Sequence, residues 1–147
     1  MQDFEIFRAG KHTAVNGAVI PFTAADLAGS VAAYNAALHE APLVVGHPSM
    51  DKPAYGWVQS LRVDGDRLIA QPDQVDADFA EMVKSGRFKK RSASFYPPDH
   101  PANPAPGHWY LKHVGFLGAT PPAVKGLREV SFGSIEGEME FADYSGL

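Results

Sequence analysis

Residues 56–72, GWVQSLRVDGDRLIAQP, form the stretch that decides the fold. Two runs that alternate between apolar and polar side chains flank Asp64-Gly65-Asp66, and an Asp-Gly step favours the tight turn of a β-hairpin. The stretch therefore predicts a pair of antiparallel strands, around which the rest of the chain has to pack.

A helix is predicted after the first short strands. Thr23 and Asp26 have the spacing of a capping box, with Asp in place of the usual Glu, so the helix begins here. Apolar residues then recur at helical spacing as far as about His39. They are Leu27, Val31, Tyr34 and Leu38.

A second helix, further strands and a loop complete the predicted elements. Residues 76–86 begin with acidic side chains, which suit a helix N-terminus, and end at Gly86. Phe79, Met82 and Val83 form the apolar side of this helix. Five prolines in residues 97–107 exclude a helix or a central strand and predict an exposed loop or a partly disordered flap.

The predicted elements together indicate an α+β fold that is mainly antiparallel. We expect a closed or partly closed barrel of about six or seven strands with two or more helices packed outside.

The composition indicates a single domain over residues 1–147. The 147 residues, 45% of them apolar, are enough to bury roughly two thirds of the unfolded surface. A net charge of -4 argues against nucleic acid as a partner, because binding to phosphates needs a basic face. The absence of cysteine excludes disulfides and a cysteine nucleophile. No basic leader and no run of ~18 apolar residues is present, so we expect a soluble intracellular protein that does not bind membranes.

The segment RSASFYPP, residues 91–98, carries the main candidates for chemistry. If it is a strand, Ser92 and Ser94 project to one side and Ala93 and Phe95 to the other. One interpretation is an edge strand with a polar solvent side. The other is a catalytic serine, which needs a histidine to take its proton and usually a third group to orient that histidine.

Two of the six histidines lie where a strand can deliver them to a site. His47 ends the apolar run PLVVG, and His113 lies within LKHVGFLG with a glycine two residues away. Each alone is also compatible with a hydrogen-bonded core residue. A zinc site is not indicated, because HEXXH is absent and His108 and His113 do not share one strand face. We therefore expect no metal and no cofactor.

Three segments in series resemble a known family. They are GHPSMDKPAYGWVQSLRVDGDRLIAQP, KSGRFKKRSASFY and YLKHVGFLGATPPAV. The motifs are a histidine some nine residues before Gly-aromatic-Val, a Ser-x-Ser strand six residues after a glycine, and a His-Val strand that runs into a proline loop. Over roughly residues 42–126 the chain resembles the head-maturation proteases of tailed phages, most closely the protease (I protein) of Mu-like phages, and more distantly the herpesvirus assembly proteases.

The resemblance implies a serine endopeptidase with a Ser-His-His triad. By position, Ser92 is the nucleophile, His47 the general base and His113 the third member. Ser94 matches the second serine of the Ser-x-Ser strand and is a supporting residue or reserve nucleophile. The better-known phage prohead proteases tend to have a glutamate at the position of His113. A neutral imidazole stabilises the protonated base less than a carboxylate does, so we expect a slow enzyme.

A serine protease also needs an oxyanion hole, and the resemblance implies partners and a location. Backbone N–H groups of Gly118 and Ala119, in the loop 118–126, are the candidate oxyanion donors, with an ordinary surface loop as the alternative. The expected substrates are scaffold and major capsid proteins and the chain itself, inside the assembling prohead in the bacterial host cytoplasm. A homodimer is a further expectation, since related viral enzymes are activated by pairing. The chain is either a whole protease domain or the N-terminal part of a longer protease-scaffold precursor, and a non-enzymatic scaffold or capsid-assembly module is the alternative function.

Overall fold

The computed structural model describes residues 1–14, 16–46, 52–119 and 139–144. Within these ranges the chain forms nine strands and two helices. The strands are β1 Phe4–Arg8, β2 Gly10–Thr13, β3 Val19–Phe22, β4 Pro42–Val45, β5 Gly56–Asp64, β6 Arg67–Asp73, β7 Lys90–Tyr96, β8 Tyr110–Leu117 and β9 Met139–Tyr144. The helices are α1 Ala24–Ala33 and α2 Ala77–Lys84.

The hairpin predicted from residues 56–72 is formed by β5 and β6. The two strands pair antiparallel up to Asp64 and Arg67, which lie opposite each other at the turn. Gly65 in the turn has a φ of 64°, a left-handed conformation that is open to glycine because it has no Cβ to clash. The predicted hairpin is confirmed.

Seven strands form one sheet in the order β1-β6-β5-β4-β8-β7-β9. Neighbouring strands are antiparallel except for β4 and β8, which are parallel. The first six strands of this order curl into a nearly closed barrel, and Arg91 on β7 donates from Nε to the Glu5 carbonyl on β1 at 2.8 Å. β2 and β3 form a separate two-stranded sheet. The predicted fold class, a mainly antiparallel α+β barrel with two helices, is confirmed.

Aromatic and branched side chains form the core of the barrel. Phe95 on β7 is fully buried, and its ring centroid lies 5.2 Å from that of Phe7 and 5.7 Å from that of Phe22. Trp109 extends the cluster, 4.8 Å from Phe22 between centroids. Burying each such side chain contributes roughly 1.5–3 kcal/mol, so the core determines which face of each strand points inward.

Helix α1 begins at the predicted capping box. The Thr23 N–H donates to the Asp26 carboxylate at 2.8 Å, and the Asp26 N–H donates to the Thr23 hydroxyl at 3.1 Å. Leu27 and Ser30 are buried on the inner face of the helix. The Ser30 hydroxyl donates to the Trp109 carbonyl at 2.7 Å, which anchors the helix beside β8.

The end of α1 differs from the prediction. The helix stops before Tyr34, which has an extended conformation, and does not continue to His39. The Tyr34 hydroxyl donates to the Val58 carbonyl at 2.6 Å and accepts from the Ala41 N–H at 2.9 Å. These bonds outweigh the helical pattern, and Leu38, predicted on the apolar face, is 60% exposed.

We expect Tyr34 to make stability depend on pH in alkaline solution. Burial raises its pKa from 10.0 to about 12. Because the folded pKa is the higher one, the contribution to stability is complete below about pH 10 and is lost as the pH rises through about 12. Urea unfolding across this range should show a steeper loss of unfolding free energy for wild type than for Tyr34→Phe. Equal slopes would contradict the assignment.

Helix α2 packs against the barrel through one stripe of residues. The Asp76 carboxylate accepts from the Phe79 N–H at 2.9 Å, and Phe79 is buried. Val83 lies four residues on and packs against the core, so Met82 beside it falls outside the stripe. Met82 is 44% exposed, and its placement on the apolar side was wrong. Gly86, with a φ of 82°, follows the helix as predicted.

The proline-rich loop is held closed by one buried amide. Asn103, 5% exposed, donates from Nδ2 to the Pro97 carbonyl at 2.9 Å and to the His108 carbonyl at 2.7 Å. The Gly107 N–H donates to the Pro98 carbonyl at 2.9 Å, close to the same point. The loop predicted for residues 97–107 is therefore an ordered, closed loop and not a disordered flap.

We expect Asn103→Ala to destabilise the protein. The substitution leaves two carbonyls without their donor, which costs about 1–3 kcal/mol when such groups are buried. Asp99→Ala, at an exposed position in the same loop, is the matched control and should change stability by less than about 0.5 kcal/mol. Urea unfolding of both variants measures the difference, and equal stabilities would show that the amide does not hold the loop.

Candidate active site

The pairing of β7 with β8 places the candidate polar residues on one face of the sheet. Ser92 lies opposite Gly115, and Ser94 lies opposite His113. Residues opposite each other in a ladder project to the same side, so these four share a face. Ala93, between the serines, is fully buried in the core, as is Phe95. The predicted alternation, with two hydroxyls on one side and two apolar residues on the other, is therefore seen.

The hydroxyl of Ser92 is buried and has no hydrogen-bond partner among the described residues. Ser92 is 0% exposed. Among buried side-chain nitrogen and oxygen atoms of the described residues, its Oγ alone lacks a partner. Leaving a buried hydroxyl unsatisfied costs about 1–3 kcal/mol, and exceptions of this kind need an explanation.

The register brings His113 closest to Ser94. Directly opposed residues have Cβ atoms about 4.5–5.5 Å apart, whereas diagonal neighbours such as Ser92 and His113 are about 7–8 Å apart between Cα atoms. His113 is 4% exposed and Ser94 is 0% exposed. His113 is therefore nearer to Ser94 than to Ser92, and its role as third triad member stays a prediction.

The end of β4 lies beside Gly115, the residue opposite Ser92. β4 runs parallel to β8, with Val44 opposite Gly115, and the Gly46 N–H donates to the Phe116 carbonyl at 2.9 Å. The Gly46 carbonyl therefore lies close to Gly115, the residue opposite Ser92. His47, the predicted general base, is the next residue and lies outside the described residues.

The candidate oxyanion donors lie further along β8. Gly118 and Ala119 follow the strand and are exposed. At about 3.4 Å per residue, Gly118 is about 10 Å from Gly115 along the chain. It lies beside the Arg87 carbonyl and the Phe88 ring. Residues 120–126 of the predicted loop lie outside the described residues, and the role of Gly118 and Ala119 stays a prediction.

A cavity of about 990 Å³ opens on the other face of β7 and β8. Arg91 and Phe116 contribute to its wall, and both are sequence neighbours of the residues at the candidate site. Alternation along the strands points them away from the Ser92 hydroxyl. The cavity is lined by Met1, Gln2, Asp3, Phe4, Glu5, Ala77, Ala80, Glu81, Val83, Lys84, Arg91 and Phe116. Ser92 is not among the residues that line it.

Arg91 is a structural residue that the sequence did not single out. It is 3% exposed, its guanidinium lies 5.5 Å from the centroid of the Phe4 ring, and burial lowers its pKa while the charge of Glu5 opposes that change. The sequence shows it as the last of three cations. Arg91 lies two and four residues before Ala93 and Phe95, so strand alternation places it on the same core face, and this was the signal that would have identified it.

Comparisons with known proteins identify no relative. No family model, no curated protein and no solved structure matches the chain. In the part of the chain that the structure describes, no group of three or more His, Asp or Glu side chains is arranged to hold a metal ion. Neither described helix is long and apolar enough to cross a membrane. Any function therefore has to be inferred from the residues of β7 and β8.

We expect Ser92→Ala and Ser94→Ala to affect stability in opposite directions. Ser92→Ala removes an unsatisfied buried oxygen and should raise the unfolding free energy by about 1 kcal/mol. Ser94 has an interaction partner, so Ser94→Ala should lower it by a similar amount. Urea unfolding measures both, and a clear loss of stability in Ser92→Ala would mean that its hydroxyl is satisfied in solution.

Proposed function

We propose that the protein is a serine endopeptidase that cleaves scaffold and capsid proteins during phage head maturation. Ser92 is the nucleophile, His47 the general base and His113 the third triad member. The observation that carries this proposal is the buried Ser92 hydroxyl, which has no hydrogen-bond partner among the described residues. A nucleophilic serine needs its oxygen free to interact with a base, whereas a structural serine is normally hydrogen-bonded to its neighbours. The resemblance of residues 42–126 to phage proteases supports the same assignment.

In the proposed reaction, His47 takes the proton of the Ser92 hydroxyl while Oγ bonds to the carbonyl carbon of the scissile peptide. The tetrahedral intermediate collapses when His47 gives this proton to the leaving amine, which breaks the C–N bond and leaves an acyl ester on Ser92. Water attacks the ester with His47 again as base, releases the carboxylic acid and restores the hydroxyl. His113 orients the His47 ring throughout.

The third member makes the proposed enzyme slow. An imidazole at His113 carries no negative charge with which to stabilise the protonated His47, and loss of that charge in a familiar serine protease costs ~10⁴ in turnover. A slow enzyme is sufficient when the substrate is confined with it, because the effective concentration inside a prohead is high. Scaffold, capsid protein and the protease's own chain all meet this condition within the assembling particle.

A non-enzymatic scaffold or capsid-assembly module is the second candidate, and the burial of the site favours it. Ser92 and Ser94 are 0% exposed, and the described cavity opens on the opposite face of the sheet. In such a module β7 and β8 serve only as part of the barrel. The two functions therefore differ in whether the Ser92 oxygen reacts.

We expect an alkyl fluorophosphonate probe to label Ser92 in wild type and in Ser94→Ala. Ser92→Ala and His47→Ala should lose labelling, and cleavage of co-expressed scaffold and capsid proteins should fall by about 10⁴-fold or more, because the nucleophile and base act as a unit. Peptide mass mapping locates the label. Ser85→Ala, at an exposed serine after α2, is the matched control that keeps labelling and cleavage.

Two outcomes would change this assignment. Labelling that persists in Ser92→Ala and disappears in Ser94→Ala would transfer the nucleophilic role to Ser94. Wild type that is neither labelled nor able to cleave its co-expressed partners, over protein concentrations that include a homodimer, would contradict the protease and support the assembly module.

A further inference from the structure

Gly115 lies on β8, between the neighbouring strands β4 and β7. Its residue pairs are Val44 on β4 and Ser92 on β7, so it is flanked by both neighbours of β8. A Cβ built on Gly115 would lie 2.7 Å from the Gly46 carbonyl oxygen and 3.7 Å from the Ser92 carbonyl oxygen. The Gly46 carbonyl therefore occupies the space that any side chain at this position would need.

The atom that fills this space belongs to the backbone and cannot swing away. Contacts of a Cβ under 3.0 Å essentially never occur. Among the described glycines, Gly29 also has so close a neighbour, but that neighbour is the imidazole of the exposed His108, which can rotate. Gly56 has only side-chain and backbone neighbours at 3.1 Å or more. An alanine at Gly115 must instead displace a segment of the main chain.

Two features hold the main chain at Gly46 in place. The Gly46 N–H donates to the Phe116 carbonyl at 2.9 Å, which ties the chain to β8 just after β4 ends. Gly46 has a φ of 67°, a left-handed conformation in which glycine, and to a lesser degree asparagine, is tolerated. The direction in which the chain leaves β4 thus depends on Gly46 and on the empty space at Gly115.

We propose that Gly115 is a positioning residue of the proposed protease: its missing side chain seats the Gly46 carbonyl against β8 beside Ser92, and so sets the point from which the chain leaves β4. Gly115 touches no reacting atom in this assignment and acts only through the main chain at Gly46. The inference depends on the proposed function, since the main chain that Gly115 positions lies beside the proposed nucleophile and directly precedes the proposed base.

We expect Gly115→Ala to slow the chemical step without weakening probe binding. Relief of a 2.7 Å contact requires a shift of the order of 1 Å, and a misplacement of this size costs on the order of 10²-fold in rate. With the fluorophosphonate probe, the limiting rate of labelling at Ser92 should fall by about this factor, while the half-saturating probe concentration stays unchanged. Amide hydrogen exchange at Gly46 should become at least tenfold faster, because its bond to Phe116 is strained.

Gly29→Ala is the matched control, since the three atoms nearest to its new methyl group all belong to the side chain of the exposed His108, which can rotate. It should label and exchange like wild type. A second pair covers the case in which Gly115→Ala does not fold. Gly46→Ala should lose labelling by a similar factor, because alanine rarely adopts a φ of 67°, and Gly46→Asn should restore most of it.

The outcomes separate the two proposals. If wild type is labelled at Ser92 and Gly115→Ala, or both Gly46 variants, label at the wild-type limiting rate, the positioning role is overturned while the protease stands. If wild type is not labelled at all, the protease fails and the positioning role fails with it. A slower rate that merely follows the unfolded fraction of each variant would show that Gly115 is needed for folding only.

Discussion

The register of β8 between β4 and β7 is the constraint on which the rest of the structure depends. Val114 faces the core, where it lies opposite Ala93 on β7 and Leu43 on β4, and all three are fully buried. Because side chains alternate, His113 and Gly115 then face the other side. A slip by one residue would bring His113 into the core and move Val114 to the face that His113 now occupies, at a cost of several apolar contacts within the core. The apolar side chains therefore determine where the polar ones lie.

Much of the fold could be predicted because its signals are local. The Asp-Gly turn after β5, the Thr23 cap and the alternation along β7 each depend on residues within a few positions of one another, and each is confirmed. The early end of α1 could not, because it depends on hydrogen bonds from the Tyr34 hydroxyl to strands that follow later in the chain. The order of the proline-rich loop depends on Asn103, whose amide meets carbonyls that converge only once the loop has closed.

The residues of the candidate site that share one strand could be predicted, whereas the way in which neighbouring strands align them could not. Alternation alone places Ser92 and Ser94 together, and resemblance supplies the histidines. That Ser94 and not Ser92 lies opposite His113 depends on the register of β7 against β8, which no local pattern reveals. The same holds for Gly115, which the sequence shows only as a glycine two residues from His113 and which the structure shows to leave space for the Gly46 carbonyl. Its importance arises from the parallel pairing of β4 with β8, a long-range contact.

Ser92 and Gly115 form one residue pair, and both weaken the sheet that contains them. An unsatisfied buried hydroxyl costs about 1–3 kcal/mol, and glycine within a strand contributes no side-chain packing. A barrel needed only for assembly would gain stability from alanine at position 92, because alanine keeps the Cβ and removes the unsatisfied oxygen. A nucleophile cannot be replaced in this way, because its oxygen forms the new bond. Local departures from good packing that coincide at one pair are typical of functional sites, and this coincidence favours chemistry at Ser92 over a purely structural role.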